Sequence, residues 1–146
     1  MEVYQAREYL EQIREEAEKL ERMKEAAEDL KRRAADPGRA PLDPNGKVER
    51  RSAAPDQMAE LVARAVQIEN DIDEKTFELF QLKHRIIGEI QALKGAQYME
   101  ILWYRYVDLD AWKDIAKAMN ISETHAYRLH GDALARFAAM YELKTR

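Results

Sequence analysis

The chain has 146 residues, 36% of them charged, with five glycines, four prolines and a formal net charge of −4. This composition favours long helices over a compact mixed fold, and the negative charge is atypical of proteins that coat nucleic acid. No cysteine is present, which excludes disulfides, thiolate nucleophiles and thiolate zinc sites. No apolar run approaches the roughly 20 residues of a membrane span, and the first residues lack signal-peptide features. We therefore expect a cytoplasmic protein without membrane contact.

Residues 1–35 are predicted to form one long amphipathic helix. They lack glycine and proline, and their apolar residues recur every three or four positions. Such a narrow apolar stripe requires a partner helix to cover it. The stripe consists of Leu10, Ile13, Ala17, Leu20, Met23, Ala27, Leu30 and Ala34.

Residues 36–55 hold all four prolines and are predicted to be a basic linker. Between residues 31 and 51 there are seven Lys or Arg residues against three Asp or Glu residues. These cations are suited to contact phosphate in a complex, but we favour the simpler interpretation of a solvated linker.

Residues 56–94 are predicted to form a second long amphipathic helix. Its apolar seam is interrupted at Lys75 and Glu89, positions that are more often register-setting or solvent-facing than functional. The two long helices can fold back as a hairpin within one chain or pair with another copy, and the sequence does not choose between these. The seam consists of Met58, Leu61, Ala65, Ile68, Ile72, Leu79, Leu82, Ile86 and Leu93.

Residues 95–146 are predicted to form a unit of three helices. The first helix is short and apolar and ends near Val107, and Asp110 is expected to cap the helix that begins at Trp112. Core packing is the favoured role of the aromatic cluster in this unit, since a segment of this size needs the area that aromatic rings bury. The cluster consists of Trp103, Tyr104, Tyr106 and Trp112.

The second and third helices of this unit have the spacing of a helix-turn-helix. Asn120 and Ile121 turn the chain, and Ser122 offers a hydroxyl to cap the following helix. That helix is expected to bury Ala126, Leu129, Ala133, Leu134 and Phe137. Its opposite face would then read the major groove of DNA, with Arg128 as the strongest candidate, although an ordinary exposed arginine is equally consistent with the pattern. The candidate DNA-binding residues are Ser122, Glu123, Thr124, His125, Tyr127 and Arg128.

This segment resembles the C-terminal helix-turn-helix, or region 4, of sigma factors. The resemblance rests on Trp112, Ile115, Ala116, Met119, Ile121 and Ser122, followed by Ala126, Arg128, His130, Ala133 and Leu134. With Arg105-Tyr106-Val107 and the general layout, the whole chain resembles phage late-gene transcription regulators of the RinA/ArpU type. The resemblance implies binding of double-stranded DNA, a possible contact with RNA polymerase, and homo-oligomers formed through the long helices. Two positions depart from the sigma-like pattern. His125 stands where Thr, Ser or Arg is common, and Ala126 stands where Val is common.

Patterns typical of enzymes are weak in this chain. His125 and His130 are five residues apart, which is not the same-face spacing of a helical metal pair, and His84 stands alone. No glycine-rich phosphate loop is present, and we expect no cofactor, no metal site and no catalytic residue.

Two classes of function remain. One is a sequence-specific DNA-binding transcriptional regulator of phage or prophage origin. The other is a phage assembly or adaptor protein resembling a terminase small subunit, or a coiled-coil interaction module. Residues 96–146 carry seven Lys or Arg and seven Asp or Glu, and this neutrality favours the adaptor.

Overall fold

The computed structural model describes residues 1–35 and 55–145, with side chains described through residue 142. The all-α prediction is confirmed, because the described residues form helices joined by short turns and include no strand. The elements are α1 (Val3–Ala35), α2 (Pro55–Gln91), α3 (Ala96–Leu102), a π-helical segment (Trp103–Val107), α4 (Trp112–Met119) and α5 (Glu123–Thr145). The predicted linker at residues 36–55 lies almost entirely outside the described residues.

The chain divides into two compact units, and α1 and α2 each contribute to both. The first unit, here called the C-terminal unit, contains Met1–Ala17 and Glu78–Arg146. The second, here called the hairpin unit, contains Glu18–Phe77. The C-terminal unit is therefore larger than residues 95–146, since it includes the first half of α1 and the last part of α2.

In the hairpin unit, α1 and α2 of the same chain lie side by side. Leu20, Ala27 and Ala65 are buried there. The Lys31 Nζ atom lies 2.5 Å from the Glu69 Oε1 atom, and this carboxylate raises the pKa of Lys31. Both side chains are exposed, so the ion pair adds little stability, but it places α1 beside α2 within one chain. The structure thus shows the hairpin arrangement of the two that the sequence allowed.

In the C-terminal unit, the first half of α1 supplies part of the hydrophobic core. Leu10, Ile13 and Phe137 are completely buried in one cluster with residues from α2, α3, α4 and α5. The Tyr9 ring stacks on Phe137 with centroids 6.1 Å apart. The apolar stripe predicted for α1 is therefore confirmed as a core-facing stripe, and here it covers short helices as well as a long one.

One of the two polar interruptions of the α2 seam contributes to this packing. The Tyr9 hydroxyl donates a hydrogen bond of 2.7 Å to the Glu89 Oε1 atom. Burial and this carboxylate raise the pKa of Tyr9. The interpretation of Glu89 as a residue that sets register agrees with this contact, because a polar pair inside an apolar seam fixes which side chains lie opposite each other.

The first short helix is less regular than predicted. It begins at Ala96 after Gly95, whose φ of 101° suits glycine, and then widens into a π-helical turn from Trp103 to Val107. The backbone N–H of Asp108 donates to the Trp103 carbonyl, five residues earlier, over 3.0 Å. Short π-helical turns within α-helices are frequent at functional sites.

One local prediction is wrong. Asp110 does not cap α4, because Ala111 occupies the N-cap position and the structure shows no side-chain cap there. Asp110 acts through its backbone, whose N–H donates to the Tyr104 carbonyl over 2.9 Å. Lys31, Arg32 and Arg33, the first cations of the basic stretch, lie in α1, in agreement with the predicted helix end at residue 35.

We predict that Phe137→Ala lowers the free energy of unfolding of the C-terminal unit by about 3–5 kcal/mol, because it leaves a cavity in a fully buried cluster. Urea unfolding followed by tryptophan fluorescence checks this, since Trp103 and Trp112 both lie in that unit. Phe80→Ala is the matched control: Phe80 lies in the same unit and is 66% exposed, and the change should stay within about 0.5 kcal/mol. Equal effects of the two variants would contradict the assigned core.

Candidate nucleic-acid interface

The connection between α4 and α5 is three residues long and well defined. Asn120 adopts the left-handed conformation, with φ 57° and ψ 46°. Its backbone N–H donates to the Lys117 carbonyl over 3.2 Å, and the N–H of Ile121 donates to the Ala116 carbonyl over 3.0 Å. These two bonds form a Schellman motif, in which asparagine accepts the left-handed conformation more easily than most residues. The predicted turn at Asn120 and Ile121 is confirmed.

Ser122 caps α5, as predicted. Its Oγ atom accepts a hydrogen bond of 3.1 Å from the backbone N–H of His125. Its backbone carbonyl accepts the N–H of Ala126 over 2.9 Å. This hydroxyl satisfies one of the N–H groups that a helix start leaves without an intrahelical partner.

The buried face of α5 agrees with the prediction. Ala126, Leu129 and Phe137 are at most 6% exposed. From α4, Ile115 and Ala116 are buried in the same core. Small side chains at Ala116 and Ala126 leave room for the two helices to approach closely.

All six predicted DNA-binding residues lie on the exposed part of the surface. They follow one another through the first two turns of α5 and its cap, interrupted only by the buried Ala126. The structure thus brings them together on one surface, here called the outer face of α5. Their role in DNA binding stays a prediction. The outer face consists of Ser122, Glu123, Thr124, His125, Tyr127 and Arg128.

Trp112 holds one side of this outer face in place. Its ring lies 4.9 Å from the Tyr127 ring and 4.7 Å from the His130 imidazole, measured between centroids. The guanidinium carbon of Arg105 lies 4.7 Å over the same indole, and its Nη1 atom donates to the Asp110 carbonyl over 3.1 Å. Tyr127 therefore packs against the Trp112 ring on one side, while 51% of its surface remains exposed. The aromatic cluster packs as predicted, with Tyr106 buried and the others partly buried.

A buried polar pair lies beneath this surface. The Tyr106 hydroxyl lies 2.6 Å from the His130 Nε2 atom. Burial, with smaller contributions from Arg7 and Arg105, lowers the pKa of His130 to about 4. Burial, together with the charge of Glu11, raises the pKa of Tyr106 to about 12. At neutral pH the imidazole is uncharged, so its Nε2 atom can accept a hydrogen bond from the Tyr106 hydroxyl.

The contributions of Arg7, Arg105 and His130 to this region were not predicted from the sequence. Arg7 is about one hundred residues from α4 in the chain, and only the packing of α1 brings it to the same pocket. His130 was considered as a metal ligand, and its spacing excluded that role without revealing its bond to Tyr106. No local pattern in the sequence would have found these contacts.

Other kinds of site find no support among residues 1–35 and 55–145. No group of three or more His, Asp or Glu side chains there is arranged to hold a metal ion. None of the helices described is both long and apolar enough to cross a membrane.

The chain matches the model of one protein family. The family model for a protein of unknown function, DUF1492, matches residues 47–138, which is more than half of the chain. The chain belongs to the DUF1492 family. The segment that the DUF1492 model matches includes all of α2, α3 and α4 and the outer face of α5, whereas α1 lies outside it. No curated protein and no solved structure matches the chain.

We predict that Ser122→Ala lowers the free energy of unfolding by about 1 kcal/mol, because the N–H of His125 loses its partner. Ser122→Asp should retain most of the stability, since a carboxylate also caps a helix start. Thermal unfolding by circular dichroism measures both variants, with the neighbouring exposed Thr124→Ala as control. A loss in Ser122→Asp as large as in Ser122→Ala would contradict the capping role.

We also predict that stability falls on acidification because of His130. The unfolded chain takes up a proton near pH 6.5 that the folded protein does not accept until about pH 4. Below pH 6.5 the stability is therefore lost at about 1.4 kcal/mol per pH unit, or about 2 kcal/mol by pH 5. Urea unfolding at pH 7, 6 and 5 should show this loss in the wild type and much less of it in His130→Gln.

The matched control for this pH series is His125→Gln, because His125 is exposed. This variant should keep the wild-type pH dependence. Identical pH dependence in the wild type and His130→Gln would contradict a lowered pKa.

Proposed function

We propose that this DUF1492 protein is a sequence-specific DNA-binding transcriptional regulator of phage or prophage origin, which acts by binding and not by catalysis. The observation that carries the proposal is the outer face of α5. It combines a capped helix start, a rigid three-residue connection to α4 and six adjacent exposed side chains. A helix presented in this way has the shape and the polar groups that major-groove recognition requires.

The chemistry of the outer face suits a small number of base contacts. Arg128 is the best candidate for a guanine or a backbone phosphate, and Thr124 and His125 can donate or accept hydrogen bonds at base edges. Tyr127, fixed against Trp112, would contact the DNA backbone or a thymine methyl group. Ser122 lies at the helix start, where backbone N–H groups favour a phosphate, whereas the Glu123 carboxylate is suited to accept a hydrogen bond from a cytosine amino group.

Dimerisation is part of the proposal. One helix-turn-helix covers few base pairs, so useful affinity requires a second copy and two half-sites one helical turn, about 34 Å, or a multiple of it apart. The exposed apolar residues of α2 in the hairpin unit offer a surface for the second copy or for RNA polymerase. They include Val62 and Val66, each 50% exposed, and Phe77, 61% exposed. In this proposal the protein acts in the cytoplasm and makes no membrane contact.

The same apolar residues favour a second candidate, a phage assembly or adaptor protein resembling a terminase small subunit. In that role α2 would bind a protein partner, and α5 would contact DNA without sequence preference or contact protein. The equal numbers of cations and anions in residues 96–146 also favour this candidate, since neutralisation of phosphates supplies much of the affinity of DNA-binding proteins.

We predict that selection from a random duplex library, washed at physiological salt, enriches a motif with two related halves. Arg128→Glu should reduce affinity for the enriched site at least tenfold, because it replaces an attractive contact with a repulsive one. The matched control is Arg136→Glu, since Arg136 is exposed on the same helix outside the outer face. Circular dichroism confirms that both variants are folded, and gel shift measures their binding.

The outcomes separate the two candidates. An enriched site that Arg128→Glu no longer binds supports the regulator. The absence of any enriched sequence moves the proposal to the adaptor. Specific binding that survives Arg128→Glu removes α5 from recognition.

A further inference from the structure

A pocket of about 280 Å³ lies beside the outer face of α5, and the proposed function does not yet use it. Three elements besides α5 contribute to its walls. Arg7 and Glu11 come from α1, Arg105 comes from the π-helical segment, and Trp112 is the first residue of α4. Tyr127 belongs to both the pocket and the outer face. A ligand in this pocket would therefore lie next to whatever α5 binds.

Two guanidinium groups converge on the pocket. Arg105 is oriented by its bond to the Asp110 carbonyl and by its position over the Trp112 ring. A guanidinium has five N–H donors, so several remain beyond the one that Asp110 accepts. Arg7 is exposed on α1. Both arginines contribute to the lowered pKa of the pocket residue His130, after the larger effect of burial, which agrees with the position of both charges near this imidazole.

The start of α4 adds a third favourable element for an anion. Ala111 occupies the N-cap position without a side-chain hydrogen bond to the helix start. The backbone N–H groups of the first turn and the helix dipole favour negative charge at such an end, although the Asp114 carboxylate in that turn offsets part of this effect. Against these groups stands Glu11, the one carboxylate among the residues that line the pocket. The balance of side-chain charge is two cations to one anion.

We infer that this pocket binds a phosphate group, held by Arg7 and Arg105 at the start of α4, with the Trp112 and Tyr127 rings as the adjoining wall. Arginine is suited to this task because its planar fork can offer two parallel N–H donors to phosphate oxygens. The phosphate can come from the DNA backbone or from a free ligand. The DNA source rests on the proposed function, and the position of Tyr127 in both surfaces favours it.

The first experiment follows the two tryptophan indole signals by NMR, with the signal of Trp103 assigned from Trp103→Phe. The probes are inorganic phosphate and a mixed-sequence DNA duplex, added separately to the full chain. A ligand in the pocket should shift the Trp112 indole signal and leave that of Trp103 nearly unchanged, because Trp103 does not line this pocket.

The second experiment measures duplex affinity against salt concentration for three variants. Arg7→Gln should weaken binding about five- to tenfold and reduce the slope of log affinity against log salt by about one. Glu11→Gln should tighten binding, since it removes the one repulsive charge. The control is Arg22→Gln, which removes the same charge from an exposed position of α1 in the hairpin unit and should bind as the wild type does. Tighter binding by Glu11→Gln is a result that damage to the fold would not produce.

The results distinguish the sources and can overturn the inference. A Trp112 shift with the duplex, together with opposite effects of Arg7→Gln and Glu11→Gln, supports a backbone phosphate. A Trp112 shift with inorganic phosphate that is lost in Arg7→Gln, with no shift and no binding for the duplex, supports a free ligand and contradicts the proposed function. Duplex binding with an unmoved Trp112 signal and unchanged variants overturns the pocket and leaves the function standing. No Trp112 shift with either probe also overturns it.

Discussion

The burial of the apolar stripe of α1 against the last three helices is the contact on which the C-terminal unit depends. A segment of about 50 residues with few large aliphatic side chains buries only a small core, which makes its stability alone marginal. Leu10 and Ile13 of α1 add buried apolar side chains to this core, and the Tyr9 ring stacks on Phe137. The Tyr9 hydroxyl donates a hydrogen bond to Glu89. The contact does more than stabilise, because the helix turn that buries Leu10 also carries Arg7 and Glu11 to the pocket beside α5.

Trp112 is the point at which core packing and surface chemistry meet. Its indole contacts the buried His130, the exposed Tyr127 and the guanidinium of Arg105. The π-helical turn makes this arrangement possible, since it directs Tyr106 into the core and leaves Arg105 over the indole. The buried polar pair below is tolerable because each partner satisfies the other and the imidazole is neutral. Trp112 therefore links the core of the C-terminal unit to Tyr127 on the outer face of α5.

The equal numbers of cations and anions in residues 96–146 do not describe the local charge near the start of α4. A count along the chain averages charges that the fold separates, and it omits Arg7, which lies far away in sequence. Near the start of α4, two arginines face one glutamate. A local positive site in a chain of net charge −4 is compatible with a protein that contacts a limited stretch of phosphate backbone and does not coat nucleic acid.

Features that depend on near neighbours could be predicted from the order of the residues. Periodicity predicted both long helices, Asn120 predicted the turn, and Ser122 predicted the cap, because each rests on contacts within about four residues. The prediction that Asp110 caps α4 was wrong, because the fold uses its backbone instead. The Asp110 N–H donates to the Tyr104 carbonyl, and the Asp110 carbonyl accepts a hydrogen bond from Arg105. Three features became visible only in the folded chain: α1 lies beside α2 of the same chain, a π-helical turn precedes α4, and Arg7 lines the pocket. These depend on which surfaces meet across as many as one hundred residues, and no local spacing records that.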